Sequence, residues 1–243
     1  MAGLLALADA ACTAPPPEPS AEAPAARAPD ASPPAGEWQV LFDGRSAEHW
    51  KGFQRESFPE DAWTIEDGTL TPLPDGAVVD LITRRTFSHY ELELEWRVAP
   101  NGNSGIFVHV TEDHPQVWHT GPEFQVLDDE RHPDGQRAET SAGSVYALVA
   151  PTDKLLRPAG EWNAVRLVVR GSRLEQTLNG RTVVTVDVKD ETFRQRVRAS
   201  SFEVLPDFAR HEAGHVALQH ASVSPLEAPV WFRNIRIREL PAE

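Results

Sequence analysis

The chain has 243 residues, 40% hydrophobic and 25% charged, the proportions of an ordinary globular protein. Its 23 Lys and Arg against 37 Asp and Glu leave a net charge of -14, a field that opposes phosphate and excludes nucleic acid as the expected partner. A single cysteine, Cys12, excludes an intramolecular disulfide and a cysteine-built zinc site, and no apolar run reaches the ~20 residues of a membrane-spanning helix.

Residues 1–12 carry Leu4, Leu5 and Leu7, then Asp9-Ala10-Ala11-Cys12. They read as the end of a bacterial lipoprotein signal, truncated at its start, with Cys12 as the lipidation site. The reading predicts an exported protein, periplasmic or on the cell surface, that meets the membrane only through a lipid on Cys12. Residues 13–36 are mostly Ala, Pro, Ser and Glu and predict a disordered linker. This tail holds Arg27 against Asp9, Glu18, Glu22 and Asp30, so the rest of the chain keeps -11 of the -14.

Residues 37–241 are dominated by period two. Strands are predicted over 40–42, 63–65, 78–82, 90–98, 105–110, 123–127, 144–149, 165–169, 174–178, 183–188, 215–219 and 230–238. In 90–98, Glu91, Glu93, Glu95 and Arg97 alternate with Leu92, Leu94 and Trp96, giving one polar face and one core face. Asn179-Gly180 between two alternating runs marks a hairpin. Helical pattern is weak, with 191–199 the best short candidate. Many short strands without long helices predict an all-β domain, a two-sheet antiparallel β-sandwich of jelly-roll type.

Several strings occur together and in order: Leu41-Phe42-Asp43-Gly44, His49-Trp50, WTIEDGTL from Trp63, YELELEWR from Tyr90, Asn103-Ser104-Gly105-Ile106-Phe107, GPEFQVLD from Gly121, Gly160-Glu161-Trp162-Asn163, Leu178-Asn179-Gly180 and FRNIRI from Phe232. Taken together they resemble the 3-keto-disaccharide hydrolase family. The resemblance implies a concanavalin A-like lectin/glucanase sandwich, a secreted or periplasmic setting, and a carbohydrate substrate already oxidised at C3. Such chemistry has stated needs. The C3 ketone acidifies the C2 proton, so a base removes it, an enolate is stabilised, the glycosidic oxygen leaves with an acid's help, and water adds back. A carboxylate or histidine titrating near neutrality, donors for the enolate oxygen and a second acid are required. No cofactor is assigned; a divalent metal on the enolate is the open alternative.

Glu123 and Gln125 share one strand face, suited to sugar hydroxyls or a metal, and match the family's Glu-x-Gln-x-x-Asp string; Glu123 is the leading catalytic candidate. Glu95 and Arg97 also share a face, where Arg97 would hold Glu95 ionised or stabilise the enolate, or the two form a structural ion pair. His109 stands where the family often carries Arg and is a candidate base. Asn103 and Ser104 read as a turn entering a strand and as substrate contacts by resemblance. Trp118 and His119 lie in the loop before Glu123, with Trp118 either stacking on sugar or packing. Tyr146 is a candidate donor to a sugar oxygen. Gln219 and His220 resemble a family string ahead of the last strand. Trp63, Trp96, Trp162 and Trp231 are read as core.

Three other readings remain. His211-Glu212-Ala213-Gly214-His215 is an H-E-x-x-H string, a zinc-protease signature that works only on a helix; Gly214 and the following strand pattern oppose a helix here. A retaining glucanase needs two carboxylates about 5 Å apart, which Glu123, Gln125 and Leu127 do not supply. A non-catalytic carbohydrate-binding module would keep the polar face without acid and base.

Overall fold

The computed structural model describes residues 36–220 and 228–242. Cys12 and the linker up to Ser32-Pro33-Pro34-Ala35 lie outside the described residues. In chain order the strands are β1 (Gln39–Phe42), β2 (Trp50–Gly52), β3 (Trp63–Glu66), β4 (Thr69–Pro72), β5 (Leu81–Thr83), β6 (His89–Val98), β7 (Asn103–Val110), β8 (Glu123–Leu127), β9 (Asn163–Arg170), β10 (Arg173–Leu178), β11 (Arg181–Asp187), β12 (His215–Leu218) and β13 (Val230–Glu239), with one α-helix, α1 (Glu191–Arg198). They form two antiparallel sheets, one ordered β11-β10-β9-β6-β13-β4-β3 with β1 beside β13, the other β2-β5-β12-β7-β8. The all-β sandwich expected from the alternation is what the chain adopts. No described helix is long and apolar enough to cross a membrane.

The core lies between the sheets. The larger sheet contributes Leu92, Leu94, Trp96, Phe232, Ile235 and Ile237, the smaller one Leu81, Ile106, Val108, Phe124, Val126, Val216 and Leu218, all buried in one cluster. The Asn179-Gly180 turn joins β10 to β11 with both residues at positive φ, as the right-handed strand twist requires of a two-residue hairpin. Asn179 also accepts the Ala164 N–H at 2.8 Å and donates to Leu155 O and Asn163 Oδ1, each at 2.7 Å, tying the turn to β9.

On the outer face of the larger sheet the register sets Arg233, Arg236 and Arg238 opposite Glu95, Glu93 and Glu91. Cross-strand pairs of opposite charge stabilise such a face modestly. Two strand expectations shift: 144–149 is a turn held by the Val145–Val149 bridge with Ala147 at φ 58°, and 78–82 narrows to Leu81–Thr83. Trp63 and Trp96 are core, but Trp162 and Trp231 are only partly buried and flank the Arg97 guanidinium at 4.8 and 4.4 Å on the outer face.

The smaller sheet has a second apolar layer on its outward side: Ile82, Phe107, Val110, Val117 and Ala217, with Phe53 packed against them. Loops cover that side, and the residues that interrupt its apolar pattern mark the site.

Candidate functional site

On β7, β8 and β12 the outward-facing positions fall in one transverse row. Gly105 pairs with Gln125, and Gln219 N–H donates to Gly105 O at 2.9 Å. Glu123 pairs with Phe107, one step along the same face. Above this row is a cavity of about 260 Å³. Its polar lining is Asn103, Glu123, Gln125, Asp134, Tyr146, Ser201 and Gln219, and its aromatic lining includes Phe107, Trp118, Phe202 and Phe208. Phe202 and Phe208 stack with rings 4.2 Å apart, and Arg194 on α1 fixes that segment by donating to Phe208 O and Ala209 O at 3.2 and 2.6 Å. A lining that mixes polar side chains with aromatic rings suits a pyranose ring, which has hydroxyl edges and C–H faces.

The backbone of Glu123 is held, its O accepting the Tyr146 N–H at 2.9 Å, but its carboxyl has no hydrogen-bond or ion-pair partner among the described residues. Burial, then the negative charges of Asp80 and Asp134, push its carboxyl up to about 8. Asp80, just before β5, is itself raised to about 6 by burial, against the stabilising hydrogen bond that His220 N–H donates to it at 2.8 Å. Burial, followed by Asp134, pushes the Tyr146 phenol up to about 12, so it keeps its proton throughout the neutral range; its hydroxyl lies 3.2 Å from Asp134 Oδ2, to which it donates. Asn103 Oδ1 and Gln219 Oε1 are buried acceptors without a partner, a costly arrangement unless a ligand donates to them. Gln125 is held by bonds from its Nε2 to Thr140 O and from Val126 N–H to its Oε1, which leaves one amide N–H unspent.

The fold therefore brings Glu123, Gln125, Asn103, Trp118, Tyr146 and Gln219 to one cavity. It sets the other sequence candidates apart, for reasons of strand parity and sheet membership. Glu95 and Arg97 lie on the outer face of the other sheet, where Glu95 accepts from Arg233 and Asn234 at 2.7 and 2.6 Å. Ser104 faces inward and donates to Gln219 O at 2.8 Å, so it supports β12. His220 also faces inward, edge-on to Trp63 at 5.7 Å, with its Nε2 donating to Ala62 O. His119 stands beside the cavity, its ring 4.2 Å from that of Trp118, which is 41% exposed. His109 sits at a β7 bulge with φ 59°, fully buried, both ring nitrogens unpartnered; burial drives its pKa down to about 4.

Asp80, Asp134, Phe202 and Phe208 escaped the sequence reading. Asp134 follows β8 by seven residues in a short 3-10 turn and the two phenylalanines lie more than 70 residues beyond it, and no local pattern points at them.

The H-E-x-x-H string does not form a helical turn. Residues 211–214 are bend and bridge, and His215 opens β12 with Nδ1 donating to Thr83 O at 2.6 Å. Glu212 pairs with Lys189. Gly214 is there for close approach, since a Cβ would come 2.7 Å from His109 Cα. The zinc-protease reading is thereby excluded by geometry. Among the described residues no three His, Cys, Asp or Glu side chains converge as metal ligands. A larger depression of about 630 Å³ on the outer face of the eight-stranded sheet is lined by charges already paired, such as Arg236 with Glu93 at 2.5 Å.

The family model of the 3-keto-alpha-glucoside-1,2-lyase-like domain matches residues 37–238. The chain belongs to this family. It is 29% identical over 232 residues to the 3-keto-disaccharide hydrolase of Bacteroides thetaiotaomicron, covering 83% of this chain and 78% of that one. A crystal structure of a proposed glycosyl hydrolase from Parabacteroides distasonis superposes with a TM-score of 0.75 at 26% identity, over 84% of this chain and 94% of the other. A family GH16 endo-beta-1,3(4)-glucanase, 10% identical with a TM-score of 0.50 over 87% of this chain and 94% of its own, shares the fold alone. Membership and these relatives make the protein a hydrolase-like enzyme of carbohydrates.

Proposed function

We propose that the cavity cleaves 3-keto-glycosides by elimination and rehydration, with Glu123 as the base. One observation carries the reading: a carboxyl raised to about 8, without a hydrogen-bond or ion-pair partner, in a cavity lined by both polar side chains and aromatic rings. A base titrating near neutrality is matched to removing a proton next to a ketone.

Glu123 takes the C2 proton, and the C–H electron pair moves into the enolate of the C3 ketone. The spare Gln125 N–H lies on the same face and donates to the oxygen on which that charge builds. The enolate then expels the C1 oxygen. Tyr146, still protonated, turns its O–H from Asp134 Oδ2 to the departing oxygen, which leaves with the proton that Glu123 took from C2, so the carboxylate is restored. The products of this half are an alcohol and a C1=C2 enone. Water adds its oxygen to C1 and a proton to C2, giving the free 3-keto sugar. Asn103 Oδ1 and Gln219 Oε1 accept from substrate hydroxyls, and Trp118 with Phe208 covers a ring face. The two halves account for a family described by a 1,2-lyase and a relative named as a hydrolase.

No lining residue is Lys or Arg. Among the described residues, then, the donors within the cavity that stabilise the enolate are neutral ones. An exported setting on a Cys12 lipid belongs to the same reading and rests on residues 1–12 alone; a Cys12→Ser chain that still partitions with membranes contradicts it.

The test compares a 3-keto-α-glucoside with its unoxidised parent, followed by NMR of the products. Release of 3-keto-glucose from the oxidised substrate only is expected. Equal cleavage of both overturns the elimination.

A further inference from the structure

Gly105 stands in the middle of β7, between Ser104 and Ile106-Phe107-Val108. Glycine is disfavoured inside a strand because it adds backbone freedom and packs nothing. Two usual reasons for such a glycine are a positive φ and a close approach. Gly105 is absent from the positive-φ residues of the described chain, so its backbone conformation is one any residue adopts. Close approach remains, and it is specific: a Cβ built on Gly105 would lie 2.7 Å from both Cγ and Cδ of Glu123. Non-bonded carbons do not come that close.

The register explains the contact. Glu123 is directly opposite Phe107, and Gly105 is its diagonal neighbour on the same face, within reach of a long side chain. Phe107 fills the space straight across, so the Glu123 side chain runs diagonally and lies flat on the β7 backbone where a side chain is missing.

We infer that Gly105 is a positioning residue for the reaction, its absent Cβ being the space in which the Glu123 carboxyl is seated. The role in the reaction rests on Glu123 acting as the base; the seating itself does not. A methyl at position 105 displaces only the flexible end of Glu123, not backbone, so the strand tolerates it while the carboxyl is pushed off the sheet toward the cavity mouth and water.

Gly105→Ala in the full chain is expected to fold and to lose about a hundredfold in kcat, the cost of misplacing a reacting group by about 1 Å. A merely structural glycine would not move two further readouts. By carbon-13 NMR, the Glu123 carboxyl of Gly105→Ala titrates lower than in the wild type, toward an exposed glutamate. Shortening the acid also restores part of kcat: Gly105→Ala with Glu123→Asp exceeds Gly105→Ala alone.

If Gly105→Ala folds poorly, a stability cycle still decides. The methyl costs less in a Glu123→Ala background than in the wild type, because the carboxyl it collides with is gone. An unchanged Glu123 titration in Gly105→Ala, or equal stability costs in the two backgrounds, overturns the seating. Full activity of Glu123→Gln overturns the catalytic reading and leaves the seating standing, so the two failures are separable.

Discussion

Glu95 Oε2 accepts a hydrogen bond from Arg233 Nε at 2.7 Å across the β6–β13 ladder, on the sheet that does not carry Glu123. The pair is partly exposed, and such pairs contribute about 0–1 kcal/mol. Glu95→Gln is therefore expected to leave kcat and KM within about twofold of the wild type, as surface changes usually do, and to lower stability by no more than that contribution. Steady-state kinetics beside a urea titration checks this. A large loss of kcat with the fold intact would put Glu95 back in the chemistry.

Glu123 makes the opposite prediction, losing activity while gaining stability. Its carboxyl titrates at about 8 in the fold against 4.5 ordinarily, so the folded state binds its proton more tightly than the unfolded one. That contribution is complete below pH 4.5 and is lost as pH rises to about 8. Glu123→Gln does not titrate there. Its stability advantage over the wild type should grow across that window to a few kcal/mol, at about 1.36 kcal/mol per pH unit. Denaturation at pH 5 and pH 8.5 measures it; an unchanged difference at the two pH values refutes the perturbed carboxyl.

His109 titrates the other way. Burial holds its pKa at about 4 against 6.5, so the unfolded chain takes up the proton first on acidification. Stability is full above pH 6.5 and falls as pH drops toward 4, by roughly 3 kcal/mol from this residue alone. His109→Asn tolerates the positive φ and removes the titration. Its stability should depend less on pH between 4 and 6.5, and an identical slope in wild type and variant would contradict the assignment.

Gln219 Oε1 is buried and unpaired in the free protein. Removing such an acceptor with a similar shape relieves about 1–3 kcal/mol of desolvation. Gln219→Met should be more stable than the wild type and bind substrate less well, seen as a raised KM with kcat less affected. Unchanged KM would remove Gln219 from the substrate contacts.

The fold was legible because alternation survives at single-residue resolution: Leu92, Leu94 and Trp96 point inward as their spacing says. The site was legible where parity alone fixed it, as for Glu123 and Gln125 on β8. It failed where a choice of sheet mattered. Glu95 and Arg97 show the same polar alternation as Glu123 and Gln125, and nothing local says which of two outward faces carries a cavity. His109, a candidate base by sequence, is turned away from the cavity because a bulge resets parity within β7, while Asp134 and Phe208 were missed because chain closure, not periodicity, brings them to the cavity.

The central claim is that Glu123 removes the C2 proton of an oxidised glycoside. Its most direct test is cleavage of a 3-keto-α-glucoside in D2O, with the released sugar read by NMR against an enzyme-free control. The account predicts one deuterium at C2 of the 3-keto sugar formed by the wild type, and no release by Glu123→Gln. Release of sugar that still carries its original C2 hydrogen would mean direct displacement at C1 and would contradict it.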